Sequence, residues 1–164
     1  AQDTPDMPPG DYSAVIESDQ PIAVSQSTFG DFLGQSPTAY GSRGTGELAV
    51  GTRMYLPNVC TRGGYYSYAA VQNVGGDTAN TTITYYGYDG SSYQQSTAIL
   101  PNARATYAAQ DTPDMPPGDY SAVIESDQPI VASQSTFGSY LFSGESAQSK
   151  VVAYGSNGVV SALK

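Results

Sequence analysis

The sequence predicts an all-β protein built on a seven-stranded antiparallel β-sandwich, preceded by part of a second copy of the same unit. Three observations support this prediction. Apolar and polar residues alternate with a period of two, and no segment keeps the period of a helix. Turn-forming residues recur about every 8–12 residues, as they do in sandwiches of short strands. A block at the start of the chain also recurs almost unchanged 108 residues later.

Each predicted strand is an alternating stretch bounded by residues that favour turns. Asp89-Gly90 is a strong hairpin signal. Pro101-Asn102 and Asp127-Gln128-Pro129 supply further turn residues. With so much glycine and proline, the chain is not expected to form helices. The seven strands are predicted at Leu48 to Val59, Tyr65 to Val74, Asn80 to Tyr88, Ser92 to Leu100, Arg104 to Ala108, Tyr120 to Ser126 and Ile130 to Phe137.

The duplication divides the chain. Residues 1–30 and 109–138 differ only in the order of one pair, Ala23-Val24 against Val131-Ala132. The offset is the size of one small sandwich domain. Residues 1–45 are therefore predicted to be the end of one repeat (a hairpin plus a junction), residues 46–145 a complete repeat, and residues 146–164 a junction into the next.

The order of several phrases in this chain resembles repeats found in large secreted proteins of filamentous bacteria. The phrases are YLPNV, AAVQNVGGDTANTTITYYGYDG, ILPNARATY and GDYSAVIESDQPIVAS. Those repeats are similar to immunoglobulin-like or fibronectin type III-like modules of extracellular scaffolds. The resemblance covers residues 50–135, and residues 10–30 in the partial copy. It implies a secreted or cell-surface stalk, adhesin or filament, and it supplies no catalytic residues.

Composition excludes several classes of function. The chain has 15 acidic and 6 basic residues, a formal net charge of −9, which disfavours nucleic acid and anionic membranes as partners. No run of apolar residues is long enough to insert into a membrane. Without histidine there is no Ser-His-Asp triad and no His-ligated zinc. We therefore expect no enzymatic activity and no cofactor, with calcium as the one open alternative.

One acidic loop, DTPDMPPGD, occurs in both copies and is a candidate calcium-binding site. Three carboxylates within nine residues could supply oxygen ligands for the ion. The alternative is an ordered, polyproline-like connection in which the aspartates form turns. The candidate ligands are Asp3, Asp6 and Asp11 in the first copy and Asp111, Asp114 and Asp119 in the second.

Three other features have both a structural and a functional interpretation. Cys60 is either a buried small residue, a thiol activated by nearby Arg62, or a partner in an intermolecular disulfide. Asn80 begins an Asn-Thr-Thr sequon, a candidate glycosylation site. A cluster of tyrosines could stack on a sugar or simply stabilise the sheet through cross-strand pairs. It comprises Tyr65, Tyr66, Tyr68, Tyr85, Tyr86, Tyr88 and Tyr93.

Tyr120 follows the long acidic loop, so we predict that its hydroxyl caps the loop backbone, as Tyr12 would in the first copy. We also predict that the first copy takes part in assembly, because residues 1–45 have no sandwich of their own. Its hairpin, residues 10–30, would complete a neighbouring subunit by β-strand exchange, although the complete repeat already holds the same hairpin. The partners are then other copies of the chain or adjacent repeats. The alternative function is a carbohydrate- or protein-binding module. The predicted assembly residues are Tyr12, Ala14, Ile16, Ile22 and Val24.

Overall fold

A computed structural model describes residues 6–22, 25–31, 37–43, 50–141, 149–157 and 159–160. Within these ranges the chain is all-β and antiparallel, as predicted, and its one helical element is a 3₁₀ turn at Ala109–Asp111. The ten strands are β1 (Ser25–Asp31), β2 (Pro37–Arg43), β3 (Gly51–Cys60), β4 (Tyr65–Asn73), β5 (Ala79–Gly87), β6 (Ser92–Ile99), β7 (Arg104–Ala108), β8 (Asp119–Leu141), β9 (Ser149–Asn157) and β10 (Val159–Val160).

Strand β8 is the centre of the main sheet. Its first half lies between β3 and β5, and its second half pairs with β4 and with β9. Strand β6 extends the sheet beyond β5, β7 extends it beyond β4, and β10 adds to β3. One 23-residue strand thus joins two groups of strands. The first group is β3, β5, β6 and β10, the second is β4, β7 and β9, and the sheet curls around a common core.

The core lies on the concave side of the curled sheet and follows the alternation in the sequence. On β5, Ile83 and Tyr85 are buried, while the neighbouring Tyr86 is exposed. Tyr107 on β7 reaches across the core, and its hydroxyl donates to the carbonyl of Thr81 on β5 at 3.0 Å. Burial of these apolar side chains is the main stabilising contribution to the fold.

Two details of the predicted sandwich are corrected. The sheet is a half-barrel, and a sandwich of two separate sheets is not confirmed. Asp127-Gln128-Pro129 does not form a turn between two strands but lies inside β8. Opposite it the β3 register shifts between Gly51 and Arg53, so these residues form an irregular bulge. The bulge bends the strand where it passes from one group to the other.

The β1–β2 and β8–β9 pairs share one register, in which corresponding residues of the two copies face corresponding partners. β1 pairs with β2 so that Ser25 faces Arg43 and Thr28 faces Tyr40. β8 pairs with β9 so that Ser133 faces Asn157 and Thr136 faces Tyr154. Within residues 1–45, where a hairpin is predicted, the paired strands are β1 and β2, and residues 11–22 form no strand. Residues 146–164, predicted as a junction, contain β9 and β10.

Candidate functional site

The duplicated sequence occupies two different environments. Residues 119–130 lie in β8, where alternate side chains are buried in the core, whereas residues 11–22 form no strand and are almost all exposed. The predicted assembly residues follow this difference: Ala14 is exposed, and its twin Ala122 is buried. The other pairs are Tyr12 (48% exposed) and Tyr120 (8%), Ile16 (60%) and Ile124 (0%), and Ile22 (53%) and Ile130 (0%). Val24 and Asp3 lie outside the described residues.

Where the structure describes both copies of the acidic loop, at residues 6–11 and 114–119, the two share local features. The Tyr12 hydroxyl donates to the carbonyl of Pro8 at 2.6 Å, and the Tyr120 hydroxyl donates to that of Pro116 at 2.6 Å. The predicted capping role of both tyrosines is confirmed. The loop also contains an aspartate with a left-handed backbone in each copy, at a φ of 63° and 59°. Local sequence therefore sets this conformation, whether or not the strand that follows is paired.

We expect the two tyrosine hydroxyls to differ in their effect on stability. Tyr120→Phe should lower the free energy of unfolding by about 0.5–1.5 kcal/mol, the usual net contribution of one hydrogen bond. Tyr12→Phe removes the same bond from the exposed copy and should leave global stability unchanged. Urea unfolding of both variants checks this. Equal losses would mean that the first copy is part of the cooperative unit.

The start of β8 is held by the end of β3. Arg62 Nε lies 2.6 Å from Asp119 Oδ2, an exposed ion pair that lowers the pKa of Asp119. Beside it, the Thr61 N–H donates to the Gly118 carbonyl at 2.9 Å, and the Gly118 N–H donates to Thr61 Oγ1 at 3.0 Å. The residues corresponding to Gly118 and Asp119 in the first copy are Gly10 and Asp11. Asp11 has only a distant contact, 3.9 Å from Arg104.

A second clamp lies at the bulge. The Asn80 backbone N–H donates to Asp127 Oδ1 at 2.8 Å, and Asn80 Nδ2 donates to Asp127 Oδ2 at 2.6 Å. These bonds lower the pKa of Asp127. The Asn80 side chain is exposed, but its amide is engaged, so a glycan on that nitrogen would compete with the clamp. Glycosylation at Asn80 stays a prediction.

The Asp127 clamp predicts an acid-dependent contribution to stability. Because its pKa in the folded state is below its ordinary value of 3.8, the contribution is complete above that value. It is lost as the pH falls through the lower, folded-state pKa. Melting temperature measured between about pH 6 and pH 2 should therefore fall less steeply in Asp127→Asn than in the wild type. Asp19→Asn, the same change at the exposed twin, should follow the wild-type curve.

The calcium candidates do not converge in the described part of the chain. There, no three acidic or cysteine side chains are grouped closely enough to hold a metal ion. Asp111 lies in the 3₁₀ turn, Asp114 has the left-handed backbone noted above, and Asp119 pairs with Arg62. Asp6 and Asp11 belong to the exposed copy. Calcium binding stays a prediction, and a calcium-dependent rise in melting temperature would support it.

Cys60 is half-buried at the end of β3, opposite Asp119. Its Sγ donates to the Arg62 carbonyl at 3.8 Å. Burial raises the pKa of the thiol, and the hydrogen bond to Arg62 acts in the opposite direction. The Arg62 guanidinium is directed at Asp119, so it does not produce the low-pKa thiol that the reactive interpretation requires.

The tyrosine cluster is divided between core and surface. Tyr85 is buried, and Tyr93 packs edge-on against Tyr120 with ring centroids 6.1 Å apart. Tyr86 and Tyr88 are exposed, Tyr88 fully, and they line an open depression of about 290 Å³. Its other lining residues include Asn58, Asp119 and Ser121. Two aromatic rings beside polar groups are the parts that a shallow sugar site uses.

Sequence reasoning missed both clamps, since each joins residues far apart in the chain. In the part of the chain that the structure describes, no helix has the length and hydropathy needed to cross a bilayer. The clamps, the capped loop and the exposed first copy together indicate a module whose central strand exists twice. This arrangement defines the class of protein only as a β module whose chain carries a second, unpaired copy of the sequence of its central strand.

Comparison with known proteins gives evidence about the fold of this chain. The chain is similar to the crystal structure of Thermotoga maritima 1070, with a TM-score of 0.53 and 18% identity over 65% of this chain and 91% of that one. It also matches the Anabaena sensory rhodopsin transducer, with a TM-score of 0.44 and 19% identity over 51% of this chain and 93% of that one. No family model matches the sequence, and no curated protein does. At this identity the first likeness shows the fold alone.

Proposed function

We propose that this chain is a structural, non-enzymatic repeat protein of the cell surface or of secreted material, part of a stalk, sheath or filament. One observation carries the proposal. The first copy repeats the sequence of β8 and continues into a hairpin with the register of β8 and β9. A domain with one central strand has no use for a second unless another module body receives it. Such duplication is typical of modules arranged in series.

We further propose that the module is a distant relative of immunoglobulin-like and fibronectin type III-like sandwiches. The tyrosine whose hydroxyl bonds back to the carbonyl four residues earlier supports this, because such a corner is common in those folds. The acidic surface suits such a role, because like charge keeps neighbouring modules from sticking at random.

Electron microscopy of native material, labelled with antibodies against residues 50–141, tests the structural function. We expect fibres or sheaths decorated at regular intervals along their length. Antibody labelling confined to single particles, with no fibre or layer in the preparation, would contradict it. Protease treatment of intact cells should also release the epitope, since the proposed location is outside the cell.

The second candidate is a carbohydrate-binding module, favoured by the depression beside Tyr86 and Tyr88. Binding of the purified chain to a glycan array would support it, with Tyr88→Ala as the test variant. The Tyr88 side chain is fully exposed, so its loss should remove sugar binding without lowering stability. Tyr66→Ala, a change at another exposed tyrosine, is the matched control. Equal binding by both variants would exclude this site.

A further inference from the structure

We infer that residues 11–22 are a docking strand whose partner is a second copy of this chain, where they occupy the place of β8 between β3 and β5. The inference deepens the proposed structural function, on which its biological role rests, by naming the partner and the register. The fit is visible within one molecule, because β8 has the sequence of the docking strand through this region. Every contact that β8 makes here is available to a residue of the same type.

Polar contacts fix the docked register at both ends. Asp11 takes the place of Asp119 beside Arg62 of the second copy, and Gly10 takes that of Gly118 beside Thr61. At the other end Asp19 takes the place of Asp127 on Asn80. Between these ends Tyr12, Ala14 and Ile16 enter the core where Tyr120, Ala122 and Ile124 lie. Exposed apolar residues in this alternation mark an interaction surface, because a monomer gains nothing by displaying them.

Both ends of the docking strand already have the conformation they would keep after docking. The loop before it is closed by the Tyr12 hydrogen bond, as the loop before β8 is closed by Tyr120. The hairpin after it, β1 and β2, has the register of β8 and β9. Little chain entropy remains to be lost at these ends. Preorganisation of this kind favours association, because less ordering accompanies binding.

In the isolated chain β8 fills the groove, so docking requires exchange. The strand of one copy enters the groove of the next, and the displaced β8 is free for a third. Such a contact is head-to-tail and extends into an open chain of molecules. The single sequence difference between the copies, Ala23-Val24 against Val131-Ala132, favours β8 over the docking strand as the occupant of the groove. Ala132 is buried, and the first copy has the larger Val24 at the corresponding position. Exchange is therefore expected when chains fold together at high concentration.

A register-specific disulfide tests the docking in the full chain. Cys60 lies opposite Asp119, so Asp11→Cys would place its thiol opposite Cys60 of the second copy. The variant is unfolded, refolded at high concentration and then oxidised. We expect disulfide-linked dimers and longer ladders on non-reducing gels, with the 11–60 linkage found by peptide mapping. Ser18→Cys is the matched control, because its twin Ser126 lies opposite β5, far along β8 from Cys60. It should give at least ten-fold less linked product.

Two outcomes would overturn the inference. Equal linkage in Asp11→Cys and Ser18→Cys would show random collision, and an 11–60 disulfide confined to the monomer would show that the strand fills its own groove. A complementation assay provides an independent check. The acceptor carries Ile16→Asp and Ile124→Asp, which disable both of its strands, and it is mixed with wild-type chain. We expect a one-to-one complex by native mass spectrometry, lost when the donor carries Ile16→Asp.

Failure of the docking and failure of the structural function are distinguishable. Regular fibres in native material with no 11–60 linkage would remove strand exchange and leave the repeat function in place. Linkage in the purified chain without fibres in native material would leave the docking and remove the proposed role.

Discussion

Tyr85→Ala is expected to cause one of the largest losses of stability available from a single substitution in this module. The Tyr85 ring is buried on β5 where both groups of strands meet, among Leu56, Val59, Ala69 and Ala109. Removing a buried aromatic side chain costs about 3–5 kcal/mol, because the cavity is only partly refilled. Urea unfolding followed by circular dichroism would measure the change.

The neighbouring residue provides the control for this substitution. Tyr86 is on the same strand but on the opposite face, where its ring is exposed. Tyr86→Ala should change the free energy of unfolding by less than about 1 kcal/mol. Similar losses in the two variants would show that β5 does not bury the face seen in the structure.

Asn73→Ala is expected to have the second large effect. The Asn73 amide is fully buried, and its Nδ2 donates to the carbonyls of Asp77 at 2.7 Å and Ile99 at 2.9 Å. Its Oδ1 accepts from the Gly75 N–H at 2.8 Å. Alanine would leave the Ile99 carbonyl buried without this donor. The expected loss is about 2–4 kcal/mol, since an unsatisfied buried polar group is costly in addition to the lost bonds.

Asn80→Ala is the matched change for Asn73→Ala. It removes an asparagine from β5 whose bonds to Asp127 are exposed to solvent. We expect a loss below about 1 kcal/mol, because water replaces exposed hydrogen bonds at little cost. Thermal melts of both variants at neutral pH give the comparison. An equal or larger loss in Asn80→Ala would mean that the clamp at the bulge outweighs the buried amide.

The strands were predictable because their signal is local. Alternation predicted β3 to β7 with ends displaced by at most three residues, and in the structure Thr81, Ile83 and Tyr85 share the buried face of β5. The hairpin signal Asp89-Gly90 also predicted the turn between β5 and β6, where Gly90 has a φ of +84°. A left-handed backbone of this kind suits glycine, which has no Cβ to clash.

Features that depend on distant partners could not be predicted in the same way. Asp127-Gln128-Pro129 has turn composition, yet it continues β8. In the fold the Pro129 carbonyl accepts from the Val74 N–H at 3.0 Å, while Asp127 holds Asn80. The duplicated segment shows the limit most clearly. Nearly identical residues are core in one copy and surface in the other, because β3, β4 and β5 surround only one of them.

The pairing of β10 with β3 determines where the chain enters and leaves the module. Gly51 begins β3, and Val160, which ends β10, lies opposite Met54 on that same strand. The two attachment points are thus about 10 Å apart, three residues along one strand. In modules joined in series, tension applied at these two points would separate β10 from β3 one hydrogen bond at a time. A material made this way would stretch under modest load by progressive unzipping.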